Sequence, residues 1–203
     1  MFSFSTFVKD LGTIRKTLLV ALILFLAGGV LGWIGTGSLQ KLLAQQLEGL
    51  SEISGNLRDS EHPQWSFFIF IFANNSIKSV VVIFLGALFG LIPAVFLLIN
   101  GGVIGYLIHL SAMQGQDLFQ LIVKGLLPHG IIEIPAIIIA CAFGLHFGGK
   151  VILSLFSPSR GKEQGNLSWS GFMRQTFTAS VWIIILLFIA AIIESTITLS
   201  LLS

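Results

Sequence analysis

Long apolar stretches separated by short polar ones dominate this chain, and their lengths predict membrane-spanning helices. Apolar runs cover about residues 17–35, 77–113, 129–148 and 177–199. A helix needs about 20 apolar residues to cross a hydrocarbon core of about 30 Å. The run 77–113 would be about 55 Å long as a single helix, so it must turn. We expect the turn at Asn100-Gly101-Gly102, with Pro93 as a further breaker upstream.

The pattern therefore predicts an all-α fold, a polytopic membrane helix bundle that forms a single domain over residues 1–203. About five transmembrane helices are expected, with a broken, short hairpin at 77–113, and their ranges are 17–35, 77–98, 101–113, 129–148 and 177–199. Leucines recur at helical spacing within 38–53, which predicts an amphipathic helix there. The aromatic segment Trp65–Ala73 is too short to span and predicts an interfacial helix.

Composition narrows the class further. Of the 203 residues, 55% are hydrophobic and 10% are charged, and the mean hydropathy is +0.96. A soluble domain carries about 25% charged residues, so this is an integral membrane protein. The net charge of +2 comes from scattered basic residues, which gives no support for nucleic-acid binding. The single cysteine, Cys141, lies in an apolar run and excludes an internal disulfide.

Basic residues flanking the spans predict the orientation, because cytoplasmic loops are enriched in Lys and Arg. Five crossings leave seven basic residues on one side: Lys9, Arg15, Lys16, Lys150, Arg160, Lys162 and Arg174. The other side has four: Lys41, Arg58, Lys78 and Lys124. We therefore expect a cell-membrane protein with the N-terminus and the loop 150–175 in the cytoplasm. The loop 36–76 and the C-terminus are then extracytoplasmic.

A histidine and a glutamate begin the fourth predicted span. His129 and Glu133 are four residues apart, so they share one helix face, which continues through Ala136 and Ala140. An ionisable group at membrane depth costs about 2.5–3.5 kcal/mol on insertion scales, so it needs partners within the bundle. The expected topology places five more polar residues with this pair in the outer half of the membrane: Asn74, Asn75, Lys78, His109 and Glu194. Asn100 is expected to lie apart from them, at the inner turn.

Glycines spaced four residues apart predict close helix contacts, since they let two backbones approach. The candidate packing positions are Gly28, Gly32, Gly86, Gly90 and Gly105, with Gly101 also at the expected turn. Such spacing is common by chance in a chain with 22 glycines. The spacing supports a compact bundle and does not decide between a monomer and a homodimer.

These residues resemble the stage II sporulation protein M family. The similarity rests on Asn74-Asn75 before a glycine-rich helix, on Asn100-Gly101 with Gly105, and on the string His129-Gly-x-x-Glu133-x-Pro-Ala. It covers about residues 65–150 and, in helix order, the whole chain. The sporulation member of the family belongs to a membrane complex with two peptidoglycan-degrading partners. The resemblance thus implies a membrane protein that works with other envelope proteins.

The polar cluster has three interpretations. His129 and Glu133 form a buried hydrogen-bonded pair that fixes helix packing, or a proton or ion site, or two ligands of a zinc ion with His109 as a third. The metalloprotease motif His-Glu-x-x-His does not occur in the sequence, and we assign no metal. No nucleophile–base set, phosphate loop or cofactor fingerprint is found either, so we expect no catalytic residues, no cofactor and no enzymatic activity.

Two functions remain. The first is a non-enzymatic scaffold or regulator in an envelope-associated complex, with membrane lipid and other membrane proteins as partners. The second is a small permease or channel that uses the intramembrane cluster of histidine, glutamate and amide side chains. A sealed cluster favours the scaffold, whereas a water-filled cavity that reaches the cluster favours transport.

Overall fold

The fold is described from a computed structural model, for residues 3–156 and 168–202 and without the side chains at 124–125, 128–129 and 197–202. All regular structure in these ranges is helical. The helices are α1 Phe4–Thr13, α2 Arg15–Ile34, α3 Ser38–Arg58, α4 Pro63–Leu85, α5 Leu91–Met113, a short α6 Leu118–Gln120 that continues through the π-helical stretch Leu121–Leu126 into α7 Leu127–Phe156, and α8 Trp169–Leu202.

Five helices are long and apolar enough to cross a membrane. The qualifying segments are Arg15–Ile34, Pro63–Leu85, Leu91–Met113, Gly130–Phe156 and Trp169–Thr196. The all-helical class and the number of spans are therefore as predicted. The chain is a multi-pass membrane protein.

The predicted turn at Asn100-Gly101 is wrong, and the second and third spans shift with it. Both residues lie inside α5, and the chain turns instead between α4 and α5, at residues 86–90. Gly90 has φ of +77°, a left-handed conformation that glycine adopts without steric cost. Pro93 lies in the first turn of α5, where its missing N–H does no harm. The amide of Asn100 donates to the Phe96 carbonyl at 2.7 Å, so its polar group is satisfied without breaking the helix.

The prediction of a surface helix at Trp65–Ala73 is also wrong. This segment is the first half of α4, which runs without interruption from Pro63 to Leu85. Its aromatic rings pack within the bundle, since Phe68 and Phe72 both meet the ring of Phe188 in α8 edge-on, with centroids 5.6 and 5.4 Å apart. Aromatic packing against α8 thus replaces the expected contact with the membrane surface.

The parallel helices α2 and α5 pack through glycine. A side chain at Gly28 would overlap the backbone of Leu98, and one at Gly32 would overlap Gly102. On the facing helix, Gly105 lies against Gly29 in the same way. The contacts recur at intervals of four residues along both helices, so the two backbones touch over several turns.

The turn at 86–90 rests on α7. Gly86 lies against Gly144, and Gly148 lies against the backbone of Phe89 and Gly90. Because these contacts are backbone to backbone, they fix the height of α4, α5 and α7 relative to one another.

The amphipathic helix α3 lies over α4 and α5. Leu43 is buried, with 1% of its surface exposed. Its Cδ2 atom would lie 3.3 Å from a methyl group added to Gly102 of α5. Gly37, with φ of +63°, joins α3 to the end of α2. The helix therefore forms one wall of the bundle beside the spans.

Candidate functional site

Three polar side chains lie at about the same distance from the turn at 86–90, on α4, α5 and α7. Asn75 is eleven residues before Gly86, and Asn100 is ten residues after Gly90. Glu133 is eleven residues before Gly144, which touches Gly86. At 1.5 Å per residue each of the three lies about 16 Å from the turn. That is half of a hydrocarbon core of about 30 Å.

These residues line a partly open cavity of about 500 Å³ between α2, α3, α4, α5 and α7. Its polar lining residues are Gln46, Asn74, Asn75, Lys78, Ser79, Asn100 and Glu133. Its apolar walls are built mainly from α5, together with Phe25 of α2 and Leu47 and Leu50 of α3. The size lies within the range of about 300–1,000 Å³ that small-molecule sites occupy.

Glu133 is the centre of a polar network that joins three helices. The side chains of Asn75 in α4 and Glu194 in α8 are the polar neighbours of its carboxyl group, and the Lys78 ammonium attracts it electrostatically. Glu194 is not among the residues that line the cavity and joins the network through Glu133. The network therefore connects the cavity wall to α8.

The asparagines extend this network. Asn74 Nδ2 donates to Asn75 Oδ1 at 3.2 Å, so the amide hydrogens of Asn75 are available to the carboxyl group of Glu133. Asn100 Nδ2 donates to the carbonyl oxygen of Phe96. Because a carbonyl oxygen can only accept a hydrogen bond, the orientation of the Asn100 amide is fixed. The Oδ1 atoms of Asn74 and Asn100 are thus left as acceptors on residues that line the cavity.

Ser79 places a further polar atom at the wall. The residue is 1% exposed and lines the cavity, and its Oγ atom has no hydrogen-bond partner among the described residues. A buried hydroxyl without a partner costs about 1–3 kcal/mol, so such atoms in native proteins have a reason to persist.

The structure brings together part of the predicted cluster. Asn74, Asn75, Lys78 and Glu133 meet at the cavity, and Glu194 joins them through Glu133. His109 lies elsewhere, because the earlier turn moves it to the end of α5, where its ring meets Trp33 edge-on at 5.3 Å. The side chain of His129 is outside the described part of the chain.

Three cavity residues were missed by the sequence analysis. Asn100 was placed at the inner turn and lies instead at the level of Glu133, because α5 begins ten residues earlier than expected. Ser79 follows Asn75 by four residues and so shares its helix face, a signal that could have been used. Gln46, in α3, is three residues after the buried Leu43 and lines the cavity although it is exposed.

No metal site emerges from this geometry. Within the described residues, no three histidine, cysteine, aspartate or glutamate side chains are grouped so as to hold a metal ion. The polar groups around the cavity are amides, a hydroxyl, an ammonium and a carboxyl group.

Fold and site together define a multi-pass α-helical membrane protein with a polar cavity midway through its spans. The chain belongs to the stage II sporulation protein M family, whose family model matches residues 21–199. It is also similar to a protein of Methanocaldococcus jannaschii named "Uncharacterized protein MJ0793". The two are 29% identical over 182 residues, which cover 89% of this chain and 93% of the relative. No solved structure matches the chain.

Proposed function

We propose that this family member is a small permease that binds a polar solute in the cavity. The observation that carries the proposal is the cavity itself, which is about 500 Å³ in volume and is lined by Glu133, Asn75 and Asn100 from three different spans. Polar groups that serve packing alone gain most when they are sealed against one another, because each exposed one is costly in lipid. An open space lined by several such groups is what a solute-binding site requires.

Helix α3 supplies the movable wall in this proposal. It is not one of the five spans, and it is joined to α2 through Gly37 and to α4 through residues 59–62. Its cavity residues are Gln46, Leu47 and Leu50. Displacement of α3 would therefore open the cavity without disturbing the contact between α2 and α5.

The location and orientation belong to the same proposal. We place the protein in the cell membrane with its N-terminus in the cytoplasm, since the loop bias in basic residues points that way. Moving the turn from 100–102 to 86–90 leaves the sides unchanged. It also moves Lys78 from a flank into a span, which reduces the basic residues on the extracytoplasmic side from four to three.

The test is uptake of a mixture of small polar solutes into proteoliposomes, with the contents of the vesicles identified by mass spectrometry. Wild-type protein should enrich at least one solute relative to Asn100→Leu, which removes a polar group from the wall and fills part of the cavity. Leu97→Ile, in the buried face of the same helix, is the matched control and should behave like wild type. Absence of enrichment by the wild-type protein for every solute would count against transport.

A non-enzymatic scaffold in an envelope complex is the second candidate, and one observation favours it. Leu39, Leu42 and Ile53 of α3 are 39%, 44% and 37% exposed on a helix outside the spans. An apolar stripe of this kind fits a lipid surface or another membrane protein. Replacing the three residues with serine should release a co-purifying envelope protein if the scaffold role is correct, and should leave solute uptake by a permease intact.

A further inference from the structure

We propose that Glu133 and Glu194 form a proton-binding site in which the two carboxyl groups share one proton, and that a small organic cation in the cavity takes the place of that proton. This inference rests on the proposed function, because it names the solute class and the coupled ion for the same cavity. It assigns an exchange in which an ammonium-bearing solute enters as a proton leaves.

The closeness of the two side chains favours a shared proton. The carboxyl groups of Glu133 in α7 and Glu194 in α8 are neighbours and interact electrostatically. Two adjacent carboxylates, both charged, would repel each other in a low-dielectric interior.

The charges around the pair determine what can replace the proton. Lys78 in α4 is the cationic neighbour of Glu133, and Glu194 in α8 is the anionic one. From α2, α3 and α5, the described side chains that line the cavity are uncharged. The side chain of His129, one turn earlier in α7, lies outside the described residues.

Charge balance makes the proton and the cation alternatives to each other. With one shared proton, the glutamate pair carries one negative charge and Lys78 one positive charge, so the cluster is neutral. A monovalent cation added to that state would leave a net positive charge in the membrane interior, which is unfavourable. If the protonated glutamate releases its proton to a water molecule, the pair becomes two carboxylates and the cluster carries a net negative charge. A bound monovalent cation then restores neutrality.

The lining of the cavity favours an organic ammonium group as the cation. Its polar groups include acceptors with no partner among the described residues, namely Oδ1 of Asn74, Oδ1 of Asn100 and the buried Oγ of Ser79, and the N–H groups of an ammonium ion can donate to them. The volume of about 500 Å³ also suits an organic molecule. The unpaired hydroxyl of Ser79 is an observation independent of the glutamate pair, and it indicates a ligand in the same cavity.

The experiment measures proton release from the purified full-length protein in a weakly buffered neutral detergent solution that contains a pH-indicator dye. Ethylammonium chloride is the probe, and sodium chloride at equal concentration is the control for ionic strength. Wild-type protein should release about one proton per chain at saturating ethylammonium. The proton and the ethylammonium ion exclude each other from the site, so binding of one displaces the other. Sodium chloride should release far less.

Three variants make the measurement specific. Glu133→Gln and Glu194→Gln should each abolish the release, whereas Glu52→Gln, at an exposed position of α3, should release as much as wild type. Melting temperatures establish that each variant is folded. Should a glutamine variant fail to fold, the infrared carbonyl band of a protonated carboxylic acid in the wild-type protein provides a second readout. That band should decrease when ethylammonium is added.

Specific results overturn the inference. These are the absence of release from the wild-type protein, equal release by sodium and ethylammonium, unchanged release from a folded Glu194→Gln variant, or an infrared band that ethylammonium leaves unchanged. If release is absent while a cysteine at position 100 still reacts with a water-soluble thiol reagent, the exchange is wrong and the open cavity stands. If that cysteine is also inaccessible, the proposed function fails as well.

Discussion

The side chain of Asn75, in the middle of α4, is a neighbour of the side chain of Glu133, near the beginning of α7. The two residues are far apart in sequence, and their contact depends on the turn at residues 86–90, where Gly86 and Gly90 rest on Gly144 and Gly148. The backbone contacts at the turn therefore set the level of the polar site about 16 Å away.

The turn gives the first prediction. Gly90→Ala should lower the melting temperature in detergent, because φ of +77° is unfavourable for a residue with a side chain, by about 1 kcal/mol or more. Gly149→Ala is the matched control, since a methyl group there meets nothing within 4 Å. Equal melting temperatures for the two variants would contradict the described turn.

The contact between α2 and α5 gives the second prediction. Gly32→Ala should destabilise the protein by about 1–3 kcal/mol, because the added methyl group would overlap the backbone of Gly102. Gly12→Ala in α1, where a methyl group has free space, should have a small effect. Denaturation in detergent, followed by circular dichroism, compares the two. A tolerated Gly32→Ala would show that the helices lie further apart.

The network around Glu133 gives the third prediction. Glu133→Leu should cost about 1 kcal/mol in stability, because it leaves the half-buried polar groups of Asn75 and Glu194 without their polar neighbour. Glu133→Gln keeps a hydrogen-bonding side chain and should retain most of the stability while solute uptake is lost. If Glu133→Gln also transports normally, the cluster serves packing alone.

The orientation gives the fourth prediction. In a background in which Cys141, the single native cysteine, is replaced by alanine, Gly55→Cys should react with a membrane-impermeant thiol reagent in intact cells. Gly161→Cys, between α7 and α8 in sequence, should react only after the cells are opened. The reverse pattern would invert the topology, since α3 and this segment lie on opposite sides of the membrane in the proposed orientation.

Much of this fold follows from the sequence because apolar length is a strong constraint in a membrane. The spans were recognised from their hydropathy, and Glu133, Asn75 and Glu194 were grouped from the cost of an ionisable group in lipid. The position of the turn was not recognised, because Asn100-Gly101-Gly102 is a strong helix-breaking signal in water-soluble proteins. Inside the bundle, Asn100 satisfies the Phe96 carbonyl and the glycines serve the contact with α2.

That single error explains the other differences in the site. With the start of α5 placed ten residues too late, Asn100 was assigned to the inner surface and His109 to the cluster. The aromatic half of α4 was then left over and assigned to the membrane surface. The cavity could not be predicted at all, because its volume depends on how α3 packs across α4 and α5, which the periodicity of α3 does not determine.

The measurement that tests the open polar cavity most directly is the reactivity of a cysteine at position 100. In the Cys141→Ala background, Asn100→Cys and Leu97→Cys are compared in membranes for their rate of reaction with a small, charged, water-soluble thiol reagent. Both positions lie deep in α5, but Asn100 lines the cavity, whereas Leu97 is fully buried among its neighbours. Water in the cavity predicts rapid labelling at position 100 and very slow labelling at position 97. Equally slow labelling at both positions would contradict the account, because it would mean that the polar site is sealed.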